Sequence, residues 1–464
     1  MQYIENKTYE ELKVGDHAEI TRTLHKQDIE LFAIMSGDVN PAHVDAEFAR
    51  SDPFHKVIAH GMWGGSLISA VIGTQLPGPG TIYLDQSLSF RRPVGLGDTV
   101  TVRITVKDKI ADKKCVRLDC QCNNQSGDTV IQGEALVIAP AVKVRRPRAL
   151  LPEVHLHEPG ARYRQLIEAA QRVPPIRTAI VHPCDEISLA GALDAANERL
   201  IVPILVGPET KIRNAAASAG RNLEGIEILA TAHSHAAAER AVALARQGCV
   251  EALMKGALHT DELMAAVVKA DTGLRTERRM SHVFALDVPH YPKPLLITDA
   301  AINIYPDLET KRDIVQNAID LAHALGIATP RVAVLSAVET VNPKIASTVE
   351  AAALCKMADR GQIKGGLIDG PLAFDNAVSS QAARTKGIVS PVAGDADILV
   401  APDLEAGNMI AKQLIYLAGA DAAGIVLGAR VPIMLTSRAD GALARQASCA
   451  LAQLLVHHSA QGGS

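Results

Sequence analysis

The sequence predicts two successive folding units, an α+β unit followed by a larger α/β unit. Three observations carry this. Up to about residue 140, one helical stretch and one glycine-rich apolar run precede four alternating, strand-like segments. From about residue 158, short runs that are apolar on both faces alternate with alanine-rich helical stretches, the pattern of parallel strands in α/β units. Between them, "PAVKVRRPRALLPEVHLHEPG" (140–160) holds four prolines and has neither period, so it reads as a linker. The boundaries are therefore 1–140, a linker over 141–157, and 158–464; 464 residues at roughly 150 per domain predict about three folding units, one before the linker and two after it.

In the first unit, "DIELFAIM" (28–35) has a helical period, and "HGMWGGSLISAVIGTQL" (60–76) reads as a buried helix whose small residues at one end suit close packing on a sheet. The segments "TIYLDQSLSF", "DTVTVRITVKD", "KKCVRLDCQCNN" and "DTVIQGEALVIA" follow, separated by turns, and predict an antiparallel meander. In the second unit the strands are "TAIVH", "VPILVG", "EALMKG", "PLLIT", "RVAVLS", "GGLIDG", "ADILVA" and "AGIVLG". About 300 residues is large for one doubly wound sheet, so two lobes around a cleft are expected.

Composition narrows the function classes. With 47 basic and 51 acidic residues intermixed, no basic field is available to gather nucleic acid or an anionic membrane. The four cations of the linker, Lys143, Arg145, Arg146 and Arg148, read as a solvated charged segment. Seven scattered cysteines do not form a disulfide framework, and "MQYIENKTYEELKVGD" lacks the build of a signal peptide; a cytoplasmic protein is expected. No apolar run approaches the ~20 residues of a membrane span. "CQC" puts Cys120 and Cys122 on one strand face, where two small buried side chains are the plain reading, and no Cys/His spacing suggests a metal site.

In the stretch "SGDVNPAH", Asp38 and His43 flank an Asn-Pro turn. Adding water across a carbon–carbon double bond needs a base for the water and an acid for the neighbouring carbon, and this pair supplies both types. The reaction also needs donors for an enolate oxygen. Backbone N–H groups at a helix start provide them, and Gly61, Gly64 and Gly65 leave that backbone open. By spacing alone, a capping Asp and a structural His remain the alternative.

"MSGDVNPAHVDAEFA", "VIAHGMWGGSLIS" and "YLDQSLSFRRPVGLGDTV" together resemble the MaoC-like, (R)-specific enoyl-CoA hydratases over nearly all of residues 1–140. The resemblance implies a hotdog fold, a sheet wrapped round one long helix, usually dimeric. It implies that Asp38 and His43 activate one water, that the Gly61 amide belongs to the oxyanion hole, and that Ser69 on the same helix orients the histidine. The reaction implied is reversible syn hydration of a trans-2-enoyl-CoA to a (3R)-hydroxyacyl-CoA, without metal or redox cofactor. His55 and His60, also nearby, read as packing or helix-start residues.

In the second unit neither G-x-x-x-x-G-K-[ST] nor a strand-linked G-x-G-x-x-G occurs, which removes the P-loop and dinucleotide readings. Candidate ligand loops at strand ends are "MKGALHT" (254–260), "DTGLRTERRMSHV" (271–283), "ITDAAIN" (297–303) and "LTSRAD" (435–440). An Arg beside a Ser offers a planar donor fork and a hydroxyl, suited to phosphate or a thioester carbonyl. With "GPLAFDNAVS" and "DLEAGNMIAKQLIYLAGA", these loops resemble the phosphate acetyltransferase and phosphate butyryltransferase family over roughly residues 158–460.

That resemblance implies two α/β lobes of isocitrate dehydrogenase-like type and acyl transfer between CoA and inorganic phosphate, giving an acyl phosphate. Ser437 and Arg438 fall on the family's Ser-Arg pair, as catalytic residues; Arg275 and Ser281 are expected phosphate contacts. The family's acetyl-type members place an acidic residue about two turns later, where this chain has Ala444, and Asp440 is the nearest carboxylate. This difference, with the "SRAD" and "LMKG" wording, points toward the butyryl-type branch.

The expectation is therefore a bifunctional acyl-CoA enzyme acting on CoA thioesters and inorganic phosphate, with no bound cofactor, no nucleic-acid or membrane partner, and a homo-oligomer built on dimers. The alternative keeps the hydratase and makes the α/β unit a non-catalytic acyl-CoA-binding or oligomerisation module. A decarboxylating dehydrogenase of the related fold is a third reading, weakened by the lack of an aspartate cluster for a metal.

Overall fold

In the computed structural model the described residues are 3–149, 154, 156, 158, 160–435 and 441–462. They form two compact units, Met1–Leu156 and His157–Ser464.

The first unit is an antiparallel sheet in the order His17–Thr23, Thr99–Ile110, Cys115–Asn124, Thr129–Ile138, Ile82–Gln86, with Ser89–Phe90 also paired to Thr129–Ile138. The helix Gly61–Thr74 packs on it. Trp63, Gly64, Ile68, Val71 and Ile72 form its buried face, a spacing of three to five residues that keeps one helical stripe on the core. Gly64 brings the helix close to the sheet, since a Cβ there would lie 2.2 Å from Cδ1 of Ile131 and force that side chain to move. Inward residues of the long strands, such as Val100, Val102, Ile104 and Val106, alternate with outward polar ones and complete the core.

Three strands here lie outside the sequence expectation. His17–Thr23 is an additional strand, paired in register with Thr99–Ile110. Arg145–Pro147, placed in the linker by sequence, instead pairs antiparallel with Tyr3–Glu5. The basic cluster is correspondingly engaged: Lys143 Nζ is 3.3 Å from Glu5 and 3.0 Å from Glu11, and the Arg145 guanidinium sits 4.6 Å from the Tyr3 ring centroid. Three residues are too short for a strand period to show.

The second unit is one sheet of 11 strands spread over two lobes. The first lobe supplies Glu227–Ala230, Ile201–Gly207, Ile176–Val181, Ala252–Lys255 and Ile433–Met434, paired in that order and all parallel. The second supplies Asp421–Leu427, Ser281–Asp287, Leu295–Thr298, Ile398–Val400, Arg331–Leu335 and Leu367–Leu372. All eight strands read from sequence are present. The sheet is mixed, however, because Ser281–Asp287 runs antiparallel to both neighbours. The lobes meet in the sheet at a single antiparallel pair, Val426 opposite Ile433. The helix Ala442–Gly462 packs against elements of both lobes, including Ala161–Ala170, Glu186–Asn197, Leu308–Ala324 and Asp421–Leu427.

Cys120 and Cys122 are fully buried on one strand face as expected, and desolvation pushes both thiols up to about 12. All seven cysteines are free. No helix among the described residues is long and apolar enough to cross a membrane.

Candidate active sites

The Asp38 loop is built by local hydrogen bonds. Gly37, at φ 75°, ends the helix Lys26–Ser36 in the left-handed region that glycine adopts without strain. The Asp38 N–H donates to Ser36 Oγ (3.2 Å), and Asp38 Oδ1 accepts from the Asn40 N–H (3.2 Å). Asn40 Oδ1 in turn caps the turn Pro41–Val44 by accepting from Ala42 N–H. Asp38 is thereby held at the end of one helix and five residues before His43, with its carboxylate exposed.

His43 lies within reach because the chain returns at Ile58. Its Nδ1 is 2.9 Å from the Ile58 carbonyl oxygen, so the Nδ1–H donates there and leaves Nε2 bearing the lone pair. His60, at the head of the helix Gly61–Thr74, is 3% exposed and packs its ring 4.0 Å from that of His43 and 4.9 Å from Phe32. Its Nε2–H donates to the Asp38 backbone carbonyl at 2.9 Å, and its buried Nδ1 has no hydrogen-bond partner.

One ring nitrogen of each histidine and one Asp38 oxygen lie within 4.8 Å of one another. Three atoms no further apart than this all lie within 4.8/√3, about 2.8 Å, of one common point, close enough for each to reach one water oxygen by a hydrogen bond.

His43, His60, Gly61 and Gly64 line a cavity of about 270 Å³ with Phe54, Trp63, Phe90 and Arg91 to Val94. Phe90 packs so closely on Gly61 that a Cβ there would be 2.9 Å from its Cε1. The Gly61 amide is thus at a helix start, bare, and on the cavity wall. Ser69 is not among the residues lining this cavity. It lies eight residues beyond Gly61, over two turns along the helix, exposed and without a hydrogen bond, while the Ile58 carbonyl orients His43. His60, read from sequence as a packing or helix-start residue, heads this helix and is also in the cluster. No local signal marked it, since its place rests on the bond back to the Asp38 carbonyl.

In the α/β unit, Ser437, Arg438 and Asp440 lie outside the described residues. Arg275 is exposed, with its backbone bridged to Ala429. Its neighbours Thr276 and Arg278 line a cavity of about 520 Å³ with Arg430, Asn317 and Asp320. Ser281 does not face it as a free ligand. It is fully buried at the start of its strand, and its Oγ accepts from Asn317 Nδ2 at 3.0 Å. The stretch read as a ligand loop thus becomes a central strand from Ser281 onward.

Residues not singled out by sequence gather beyond the carboxyl ends of the first lobe's strands. His182 follows Ile176–Val181 at φ 56°, and its Nδ1 is buried without a partner. Burial first, then the charge of Lys211, lowers its pKa. Thr231 Oγ1 and Glu262 Oε2 are likewise buried without a hydrogen-bond partner, although Glu262 Oε2 lies 3.7 Å from His235 Nδ1. Gly256 brings its backbone against this strand end, since a Cβ would be 2.5 Å from the Val181 carbonyl oxygen.

The two units thus define a class: a hotdog domain joined to a two-lobed acyltransferase-type α/β domain. Residues 9–122 match the family model described as MaoC like domain, and residues 230–448 match that described as phosphate acetyl/butaryl transferase. A phosphate acetyltransferase of Rhizobium meliloti is 65% identical over 294 residues, 63% of this chain and 93% of the relative. A phosphate butyryltransferase of Clostridium acetobutylicum is 41% identical over 279 residues, 60% of this chain and 93% of the relative. The crystal structure of a branched-chain phosphotransacylase from Enterococcus faecalis aligns at TM-score 0.54 and 31% identity, over 61% of this chain and 99% of that one. The chain belongs to the phosphate acetyltransferase/phosphate butyryltransferase family, and carries a MaoC-like domain ahead of the transferase.

Proposed function

We propose that the chain is a bifunctional acyl-CoA enzyme. The carboxyl-terminal unit transfers an acyl group between CoA and inorganic phosphate, and the amino-terminal unit hydrates trans-2-enoyl-CoA to the (3R)-hydroxyacyl-CoA. The observation that carries the hydratase reading is the gathering of Asp38 and His43 around one water-sized position, beside a cavity walled by the bare Gly61 amide. Water loses a proton to the Asp38–His43 pair as its oxygen bonds to Cβ. The enolate charge forms opposite the helix amino terminus, where backbone N–H groups stabilise it, and the pair returns a proton to Cα.

For the transferase, Ser437 and Arg438 are the phosphate and carbonyl ligands, with Arg275 a further candidate. Higher identity to the acetyl-type relative, 65% against 41%, favours acetyl over the longer chain suggested by the "SRAD" wording. A homo-oligomer is the expected state: Ile82 and Leu84 stand exposed on an edge strand, and Met409, Tyr416 and Leu417 on a helix.

The test uses the intact chain in two assays. Asp38→Asn should lower crotonyl-CoA hydration by about 10²–10⁴-fold and leave phosphate-dependent CoA release from acetyl-CoA unchanged. Arg438→Ala should do the reverse. Loss of both activities in either variant would sink the two-site reading.

A further inference from the structure

The cluster holds one group more than the Asp38–His43 pair, and the additional one is His60. Hydration breaks only one O–H bond of water; the other survives as the 3-hydroxyl of the product. While the oxygen attacks Cβ, that second O–H must be held, or the water is free to rotate about its bond to the base. His60 has the means. Its Nε2–H is committed to the Asp38 carbonyl, which fixes the tautomer and leaves Nδ1 as a bare acceptor. That atom is buried and unpartnered, in a side chain only 3% exposed. A buried acceptor without a donor is costly unless a ligand or water supplies one. The ring lines the same cavity as His43 and Gly61, and a nitrogen of it falls in the 4.8 Å cluster with Asp38 and His43.

We propose that His60 is the third group on the reacting water: Nδ1 accepts a hydrogen bond from the O–H that is not broken, and later from the product's 3-hydroxyl. This inference rests on the hydratase reading above. Protons balance without His60 taking part. One water proton passes to the Asp38–His43 pair and one is returned to Cα, while the second water proton stays on oxygen throughout. His60 thus selects which lone pair of the water faces the substrate, and with it the face of the double bond attacked.

The two functions of the ring separate by substitution. His60→Gln places an amide N–H near the ring Nε2 and retains the hold on Asp38 without an acceptor at the Nδ1 position. His60→Asn places an amide oxygen near Nδ1 and gives up the hold. Crotonyl-CoA hydration is measured with the full chain, kcat and KM separately, alongside thermal unfolding and the transferase assay as folding controls. The proposal expects His60→Gln to lose about 10–100-fold in kcat with KM within about twofold, and His60→Asn to retain kcat within about fivefold of the unsubstituted chain. Full activity in His60→Gln with loss in His60→Asn would make the residue a backbone prop, and equal loss in both would overturn the water-holding role. Failure of the unsubstituted chain to hydrate crotonyl-CoA is a separate outcome, and overturns the hydratase reading on which this one stands.

Discussion

Replacing Ser281 by alanine separates a structural hydroxyl from a ligand. The side chain is fully buried, and its Oγ accepts from Asn317 Nδ2 at 3.0 Å. Asn317 Nδ2 also donates to the Arg279 carbonyl at 3.0 Å, so it keeps one partner when the hydroxyl is removed. The loss is therefore one hydrogen bond plus one poorly satisfied N–H, about 1–3 kcal/mol. At an unfolding entropy of ~2.1 cal/mol/K per residue, over the unit His157–Ser464, this is a fall of about 2–5 °C in Tm. Calorimetry of the intact chain reads it from the transition of larger enthalpy, which belongs to the larger unit. The KM for phosphate should stay within about twofold. A rise of about tenfold in that KM with an unshifted Tm would refute the reasoning and make Ser281 a phosphate ligand.

Other consequences follow from burial and close approach. Arg162→Ala strips the partner 2.8 Å from Asp287, which is 2% exposed, and should cost about 3–5 kcal/mol by urea unfolding because a charge is left buried. Gly133→Ala drives a Cβ to 1.9 Å from the Ser87 carbonyl oxygen, so the first unit should lose about 3 kcal/mol and its hydration activity while the transferase persists. His282 is buried and its pKa is lowered, by desolvation first, against the raising effect of Asp299. The unfolded chain then binds the proton that the folded one refuses, and stability falls as pH drops below the unfolded value of ~6.5. His282→Leu should flatten the decline in Tm between pH 7 and pH 5, and an unchanged slope would remove His282 as its source.

The fold was legible wherever segments were long and periodic. The four segments of the meander and the eight apolar strands of the α/β unit all appear, because each sequence segment runs to five or more residues, enough for alternation or two-sided burial to show even where the strand itself is as short as Ile398–Val400. Ile433–Met434 has only two residues and Tyr3–Glu5 three, too few for any period. Ser281–Asp287 was masked by its polar lead-in "RRMSH", which drew a binding reading. At the first site, Asp38, His43 and Gly61 could be found because a turn and a glycine-rich helix start are local features. Ser69 entered only through the resemblance; it stands exposed, eight residues beyond Gly61 and off the cavity lining. His60 depends on a contact 22 residues back to the Asp38 carbonyl, and no local pattern encodes that.

The second lobe leaves and rejoins the first through Ser281 and Leu427, which sit opposite each other as ladder partners. Strand neighbours are ~4.8 Å apart, a gap that a two-residue turn spans. The lobe is therefore an insertion with its two ends stitched together. It is a segment that could be cut out and closed on a short turn, or whose ends could become new chain termini, without breaking any strand of the lobe that remains.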